Sequence, residues 1–356
     1  MRLTILQDFL NEETRLGFTI PSKMKRCWAT QLKLLSMIDD ICSRHGLRWF
    51  ADYGTLLGAV RHNGYIPWDD DIDICMFRDD YERLFEFIPQ ELPQYCEAMK
   101  FGTQYNLWRG WSNVNNRENI DAGCDPEEKR ITDIFYGNPY IDGIDIYPLD
   151  YVPADPDKRR DMLTRFENIM QVLRNSDDPD PALCSQAEEI ARSCPRSEAI
   201  GAHCITVMSH CTPDMWRELS WYEDVIMMPF EMITVPVPIQ YEPILEQRFG
   251  PGWHTPKQET GGHDYPFYDE QENHIITAIV GRAEELKADD ASGALDLIRG
   301  GMRLYPERFE LYFTAARILS GYNLNECYRM LKKSYVLCQE EAIREKIAVE
   351  LEKFSK

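Results

Sequence analysis

Asp69, Asp71 and Asp73 alternate through the run Trp68-Asp69-Asp70-Asp71-Ile72-Asp73-Ile74, and Gly54-Thr55 stands a short way upstream. Taken as a strand, the run puts those three aspartates on one face and Asp70 on the other, with Ile72 and Ile74 turned into a core. Carboxylates gathered on one face repel each other unless a proton or a cation neutralises them. A hard divalent ion with oxygen ligands is the simplest neutraliser: magnesium, with manganese able to replace it. Asp71 and Asp73 are the expected metal ligands and Asp69 a further catalytic carboxylate. A third metal ligand is expected from a second acidic segment, Ile144-Asp145-Ile146, where the flanking isoleucines turn Asp145 to one face; Asp142 and Asp150 are its rivals. These residues by themselves say metal and phosphate.

The donor side of such a site needs groups that tolerate or attract phosphate. Gly54 permits close backbone approach, and Thr55 opens a helix whose N-terminal amides suit an anion. Arg61 offers a bidentate phosphate contact with His62 beside it, and Trp68 can stack on a base or guard the rim. Aromatic residues Tyr265, Phe267 and Tyr268 suit either a cation–π cage for a quaternary ammonium or, as preferred here, the anchoring of a loop. Cys184, Cys194, His203, Cys204, His210 and Cys211 have the chemistry of a zinc site but not its short paired spacing. A stripe of buried thiols is the better reading.

Several elements must hold these groups. Ser22 to His45 has apolar residues at helical spacing, with Ser22 placed to cap its start and Gly46 to end it. Leu47 to Tyr53 is expected as a strand, Thr55 to Arg61 as a short helix, Ile72 to Met76 as the acidic strand and Asp79 to Phe87 as a helix. Tyr140 to Tyr147 is a further strand, and Asp155 to Cys211 reads as helices broken near Asp177 to Pro181. Phe230 to Pro238 is β-rich, and its prolines assign it to an edge or a loop. Pro256 to Glu272 reads as a connecting arm. The expected fold is α/β (α+β): a mixed sheet flanked by helices over residues 1–270, then a helical extension over 271–356. In that extension Ala294, Ile298, Gly301 and Pro306 sit at the offsets of a tetratricopeptide repeat, and Cys327, Leu331 and Ser334 repeat part of the pattern; a plain helical hairpin is the equal alternative.

The whole chain narrows the classes. With 356 residues, 44% hydrophobic and 28% charged, it can bury a large core and is not generally disordered. A net charge of -21 argues against a nucleic-acid partner and against broad adhesion to an anionic membrane. Met1 to Ile20 does not read as a signal peptide, and no window reaches transmembrane length, so a cytoplasmic protein is expected. The 11 cysteines are an odd number in a long chain, which favours reduced thiols over a disulfide framework.

The glycine turn, helix and Asp-x-Asp strand together look like the nucleotidyltransferase fold signature. More narrowly, Tyr53-Gly54-Thr55-Leu56-Leu57-Gly58-Ala59-Val60-Arg61-His62 followed by Ile66-Pro67-Trp68-Asp69-Asp70-Asp71-Ile72-Asp73-Ile74 closely resembles the LicD family, which includes bacterial phosphocholine transferases and has fukutin-related proteins as distant relatives. Ile144 to Asp150 looks like that family's second acidic strand, and Val235 to Pro256 like its closing segment. The resemblance implies a magnesium-dependent transferase. It would move phosphocholine, or a related phospho-alcohol, from a CDP-linked donor such as CDP-choline to a hydroxyl of a cell-surface glycan or lipid-linked glycan precursor, as in lipopolysaccharide or teichoic acid. One departure matters. The family usually has basic residues in the region of Trp111 to Asn119, where this chain has Asn113, Asn115 and Asn116 between Arg109 and Arg117. Two other readings stand beside this one. One is a nucleotidyltransferase acting on a small-molecule or sugar hydroxyl; the other is an inactive domain carrying a helical partner-docking tail.

Overall fold

The computed structural model describes residues 3–102, 111–117, 126–176, 180–206, 215–258 and 266–354. The chain divides into two compact units, Met1–Glu118 with Asp142–Asp264, and Asn119–Ile141 with Tyr265–Lys356. A linear cut at residue 270 does not describe this division, because Asn119–Ile141 leaves the first unit in mid-sequence.

The first unit begins with a hairpin, β1 (Glu13–Arg15) and β2 (Phe18–Ile20), turned at Leu16 and Gly17, both with positive φ. Helix α1 (Ser22–His45) follows. It buries the expected stripe from Met24 to Cys42 and stops where Gly46 adopts the left-handed conformation, which a residue without Cβ takes easily. Ser22 does not cap it: Pro21 holds that position and makes no side-chain cap.

The central sheet is built from β3 (Phe50–Ala51), β4 (Asp73–Phe77), β5 (Glu97–Met99), β6 (Ser112–Asn115) and β7 (Gly143–Pro153), in the spatial order β3-β4-β7-β6-β5, with β8 (Ala199–His203) pairing the far end of β7. Only β4 and β7 run parallel; the other pairs are antiparallel, which makes the sheet mixed. Helices α1 and α3 (Arg78–Glu91) pack on the face formed by Ile74, Met76, Ile144 and Ile146. On the opposite face lies α2 (Tyr53–His62), whose start is capped by the Asp52 side chain. Helices α5 (Pro156–Arg174) and α6 (Pro181–Ala191) close a second apolar cluster around Phe166, Met170 and Cys184. The unit ends with the hairpin β9 (Val225–Phe230) and β10 (Ile233–Pro238) and the short helix α7 (Tyr241–Phe249). Pro229, Pro236 and Pro238 are accommodated because this ladder has only two strands.

Strands β1, β2, β5, β6, β8 and most of β9 fall where the sequence suggests none. β8 lies inside a stretch read as helical, and β6, Ser-Asn-Val-Asn, has too little apolar alternation to declare itself. β6 forms because Ser112 and Val114 face the α3 side, where the Ser112 hydroxyl bonds the Tyr81 hydroxyl and takes the Phe101 N–H at 2.7 Å.

The second unit is helical. It holds α4 (Pro126–Ile134), α8 (Pro266–Leu286), α9 (Ala291–Leu304), α10 (Phe309–Leu319), α11 (Leu324–Leu337) and α12 (Glu341–Glu352). Gly301, one of the residues at the repeat offsets, lies where helices approach closely: a Cβ there would be 3.1 Å from Leu311 Cδ2 and 3.3 Å from Ile279 Cδ1. The polypeptide before β7 is tied in by Tyr140, whose hydroxyl donates to Glu272 at 2.8 Å, and by paired bonds between Ile141 and Gln271. The chain is thus a mixed α/β sheet flanked by helices with a C-terminal helical region, as the sequence indicates.

Candidate active site

The acidic strand begins later than its sequence suggests. Asp73 is its first residue, so Asp69, Asp70 and Asp71 lie in the preceding loop, where the two-residue alternation of a strand does not operate. Asp70 is therefore not turned away from its neighbours. The carboxylate oxygens of Asp69, Asp70 and Asp71 all lie within 4.8 Å of one another. The loop is held by its backbone. Trp28 Nε1 of α1 donates to the Asp69 carbonyl at 3.0 Å, Gln31 Nε2 donates to the Asp70 carbonyl at 2.6 Å, and the Asp69 N–H closes a turn onto the Ile66 carbonyl at 2.9 Å. Because the carbonyls are tied to buried donors, the loop backbone stays fixed while its side chains crowd.

Behind the loop the sheet sets a row. Asp73 on β4 is in parallel register with Asp145 on β7, and Asp145 is in antiparallel register with Asn113 on β6. Side chains at registered positions project from the same face with their Cβ atoms about 5 Å apart. Two hydrogen bonds set the row's level: the Asp73 N–H to Thr55 Oγ1 at 2.8 Å and the Asp145 N–H to the Ile72 carbonyl at 2.9 Å. Asp73 is only 6% exposed, and burial raises its pKa well above the usual carboxylate range. The charges of Asp71, Asp145, Asp69 and Asp52 push the same way. One step along the same face, the Tyr147 hydroxyl is raised by burial and then by Asp73 and Asp145, and its ring lies between those of Tyr53 and Trp111 at 4.9 Å and 5.7 Å.

This donor set suits a hard cation. Asp69, Asp71, Asp73 and Asp145 all present carboxylate oxygens, and beside Asp145 the amide oxygen of Asn113 is buried without a hydrogen-bond partner among the described residues. The expected trio Asp71, Asp73 and Asp145 shares one electrostatic neighbourhood. Among the described residues, however, the carboxylates that already stand at shared-ligand distance are those of the loop. Asp70 thus joins the set that the sequence assigns to Asp69 and Asp71.

The groups expected at the donor have definite local places. The Asp69 carboxylate lies over the first turn of α2 at Gly54, where a Cβ would force its Oδ2 to shift. Thr55 is buried with its hydroxyl spent on Asp73, so it sets the strand's register. Arg61 donates to the Trp253 carbonyl at 2.7 Å and to His62 Nε2 at 2.8 Å. Burial, with Arg61 and Arg15 nearby, pushes the His62 imidazole down to about 4. Trp68 meets the Phe18 ring edge-on at 6.2 Å. The rivals of Asp145 are engaged elsewhere: Asp150 forms a bidentate pair with Arg78 at 2.8 Å, and Asp142 accepts from Gln31 Nε2 at 2.8 Å.

Three positioning groups escape sequence reasoning. Arg217 grips Asp52, the residue that caps α2, through two bonds at 2.5 and 3.0 Å. Glu231, at the turn of the β9–β10 hairpin, takes two bonds from Arg15 and the Tyr65 N–H at 3.1 Å, and so fixes the approach to the acidic loop. Asn113 is the third. Only its place among three asparagines where basic residues are expected hints at a role.

His210, Cys211 and Tyr265 lie outside the described residues, as does the side chain of Phe267. Among the described residues Cys184, Cys194, His203 and Cys204 form no metal-binding group of three. Cys184 packs in the apolar cluster, and burial with nearby Arg217 pushes His203 down to about 3. Tyr268 is buried in α8 against Tyr140, with ring centroids 5.2 Å apart. Every described cysteine is free. No described helix is long and apolar enough to cross a membrane.

Comparison with known proteins bears out the resemblance carried by Tyr53 to Ile74. Residues 46–125 match the family model described as LicD/FKTN/FKRP, nucleotidyltransferase domain. Over 64 residues, 18% of this chain and 24% of the relative, the chain is 42% identical to a protein of Haemophilus influenzae named lipopolysaccharide cholinephosphotransferase LicD. An uncharacterised Rickettsia prowazekii protein is 33% identical over 75 residues, 21% of this chain and 28% of the relative. An uncharacterised Rickettsia typhi protein is 32% identical over 87 residues, 23% of this chain and 28% of the relative. The matches span about a quarter of each relative's length. The family segment takes in β3, α2, the acidic loop, β4 and β6 but ends before Asp145.

Proposed function

We propose that the chain is a metal-dependent transferase that moves phosphocholine, or a related phospho-alcohol, from a CDP-linked donor to a hydroxyl of a cell-surface glycan precursor. The observation that carries the reading is the register of Asp73 with Asp145 on parallel neighbouring strands, beneath the acidic loop of the segment that matches the LicD family. The name of the Haemophilus relative, a lipopolysaccharide cholinephosphotransferase, supports phosphocholine as the group transferred.

Asp71, Asp73 and Asp145 would hold magnesium, which when bound offsets the negative charge on the attacking and leaving oxygens of a diphosphate. The protein's own task is positioning. Thr55 and the β4–β7 register fix Asp73 and Asp145, and Gly54 leaves room for the Asp69 carboxylate beside the N-terminus of α2. The acceptor oxygen attacks the phosphorus that bears the alcohol, the bond to the bridging oxygen breaks and CMP leaves. The hydroxyl proton passes to Asp69 or Asp145, and rate–pH profiles of Asp69→Asn and Asp145→Asn separate these bases. Phosphoryl chemistry of this kind is mostly orientation and charge stabilisation, which rigid strands and a tied loop supply. We assign the reaction to the cytoplasm, where nucleotide-activated donors are available.

The test is incubation of the full chain with magnesium and a panel of CDP-alcohols and nucleoside triphosphates, following CMP release and product mass. Release of CMP with a product heavier by the phospho-alcohol supports the reading. A product heavier by a nucleotide replaces it with nucleotidyl transfer. Turnover of another CDP-alcohol but not CDP-choline removes phosphocholine as the group transferred.

A further inference from the structure

Three asparagines crowd the end of β6, and two have evident structural work. Asn116 accepts the Asp142 N–H on Oδ1 at 3.0 Å and pairs by backbone with the Asp142 carbonyl at 2.9 Å. Asn115 fills the space over Gly143, where any Cβ would collide with its Oδ1. Asn113 differs from both. Its side chain is 5% exposed, and its amide oxygen accepts no hydrogen bond among the described residues. Leaving a buried amide oxygen unsatisfied costs about 1–3 kcal/mol, so a fold that keeps one calls for an explanation.

Its place in the sheet offers that explanation. Asn113 is registered with Asp145, which is registered with Asp73, and the three occupy one level of one face. Ser112 and Val114, to either side, belong to the opposite face, where Ser112 bonds Tyr81 and Phe101. The orphaned oxygen therefore lies on the side of the carboxylates and not in the helix-covered core.

We propose that the amide oxygen of Asn113 is a neutral ligand to the divalent cation held by Asp73 and Asp145. This rests on the metal-dependent reading above and adds to it a ligand that the acidic motifs do not contain. An amide oxygen is a hard donor of the kind magnesium and manganese accept. Its neutrality matters in this setting. Asp73 already faces Asp71, Asp145, Asp69 and Asp52, and another carboxylate in the row would increase the repulsion before a cation arrives. An asparagine adds coordination without adding charge.

The test uses the full-length protein and manganese alone, with binding followed by calorimetry or by loss of the free-ion electron paramagnetic signal. A melting scan with and without metal runs in parallel. Asn113→Ala is expected to weaken manganese binding by about tenfold or more and to shrink the metal-induced rise in melting temperature, while the metal-free melting temperature holds or rises. Asn113→Asp, which restores an oxygen of similar reach, is expected to regain the affinity and to lower metal-free stability by adding charge. The inference fails if Asn113→Ala binds manganese as tightly as the parent, or if Asn113→Asp does not restore binding. A parent protein that binds no manganese overturns the metal reading itself and this ligand with it. Binding in the parent that survives Asn113→Ala removes the ligand alone.

Discussion

Two sets of acidic side chains sit within the same sheet domain under opposite conditions. Asp52 and Asp150 are buried and each is gripped by an arginine through two bonds, Arg217 and Arg78 respectively. Asp73 is equally buried, and the charged groups that shift it upward are other carboxylates. In the first set the protein supplies the counter-charge; in the second the charged groups that act most on Asp73 are further carboxylates. Ion pairs of the first kind hold the scaffold in register, since removing one partner strands a charge in a medium that penalises it. A cluster of the second kind lowers stability, so its presence implies a task that needs it.

The sharpest way to break this contrast is to neutralise one member of each set. Asp73→Asn and Asp145→Asn are expected to lower the transfer rate by about a thousandfold or more, equivalent to about 4 kcal/mol of barrier, while the metal-free protein melts at the same temperature or higher. Rate assays and melting scans on the same preparations read both quantities. An Asp73→Asn protein that loses stability and keeps activity would show that the row is structural. Arg217→Ala should do the reverse to the scaffold. It leaves Asp52 buried without its partner at the start of α2, and urea unfolding should show a loss of about 3–5 kcal/mol. A loss below 1 kcal/mol would erase the distinction between the two sets.

That contrast was only half visible in the amino-acid order. The acidic motif and the glycine turn are local, so their chemistry could be read directly, and α1 announces itself by its apolar period and by Gly46. The partners that set the motif in place are distant in sequence. Arg217 lies 165 residues from Asp52, and Glu231 lies 216 from Arg15, and no local pattern marks either. The exchange of strand alternation for a loop at Asp69 to Asp71 was hidden for a related reason. Buried donors on α1, Trp28 and Gln31, pull the backbone carbonyls of Asp69 and Asp70 out of any ladder. β6 was missed because its identity comes from its neighbours; without β7 alongside, Ser-Asn-Val-Asn has no reason to extend.

A cation should move the two sets apart in a measurable way. A ligand that binds only the folded state stabilises it by about 2.7 kcal/mol at a hundredfold excess over its dissociation constant. Magnesium or manganese at that level is expected to raise the unfolding free energy of the parent by about this amount. It should leave Asp73→Asn almost unmoved and stabilise Arg217→Ala as much as the parent, because the ion acts on the clustered carboxylates alone. Equal stabilisation of all three proteins would mean that the ion binds elsewhere.

Asp142 tests the comparison from its boundary, since it is buried and the donors known to hold it, Gln31, Cys27 and the Gly143 N–H, are neutral. Burial outweighs the bonds from Gln31 and the Gly143 N–H and pushes its carboxyl up to about 7 from 3.8, with Asp70 adding to the rise. Between those values the folded protein holds a proton that the unfolded chain has released, so this group's contribution to stability falls as pH rises from about 4 to about 7. Asp142→Asn keeps an oxygen for Gln31 and Gly143 and carries no titrating proton. Each pH unit between the two values is worth about 1.4 kcal/mol, so between pH 5 and pH 7 the parent should lose about 2 kcal/mol relative to the variant. Paired urea titrations at the two pH values read the difference, which cancels contributions from groups that both proteins share. A variant whose stability tracks the parent across that interval would mean that Asp142 is already ionised in the fold. It would then belong with the compensated acids, its charge carried by amide dipoles in place of an arginine.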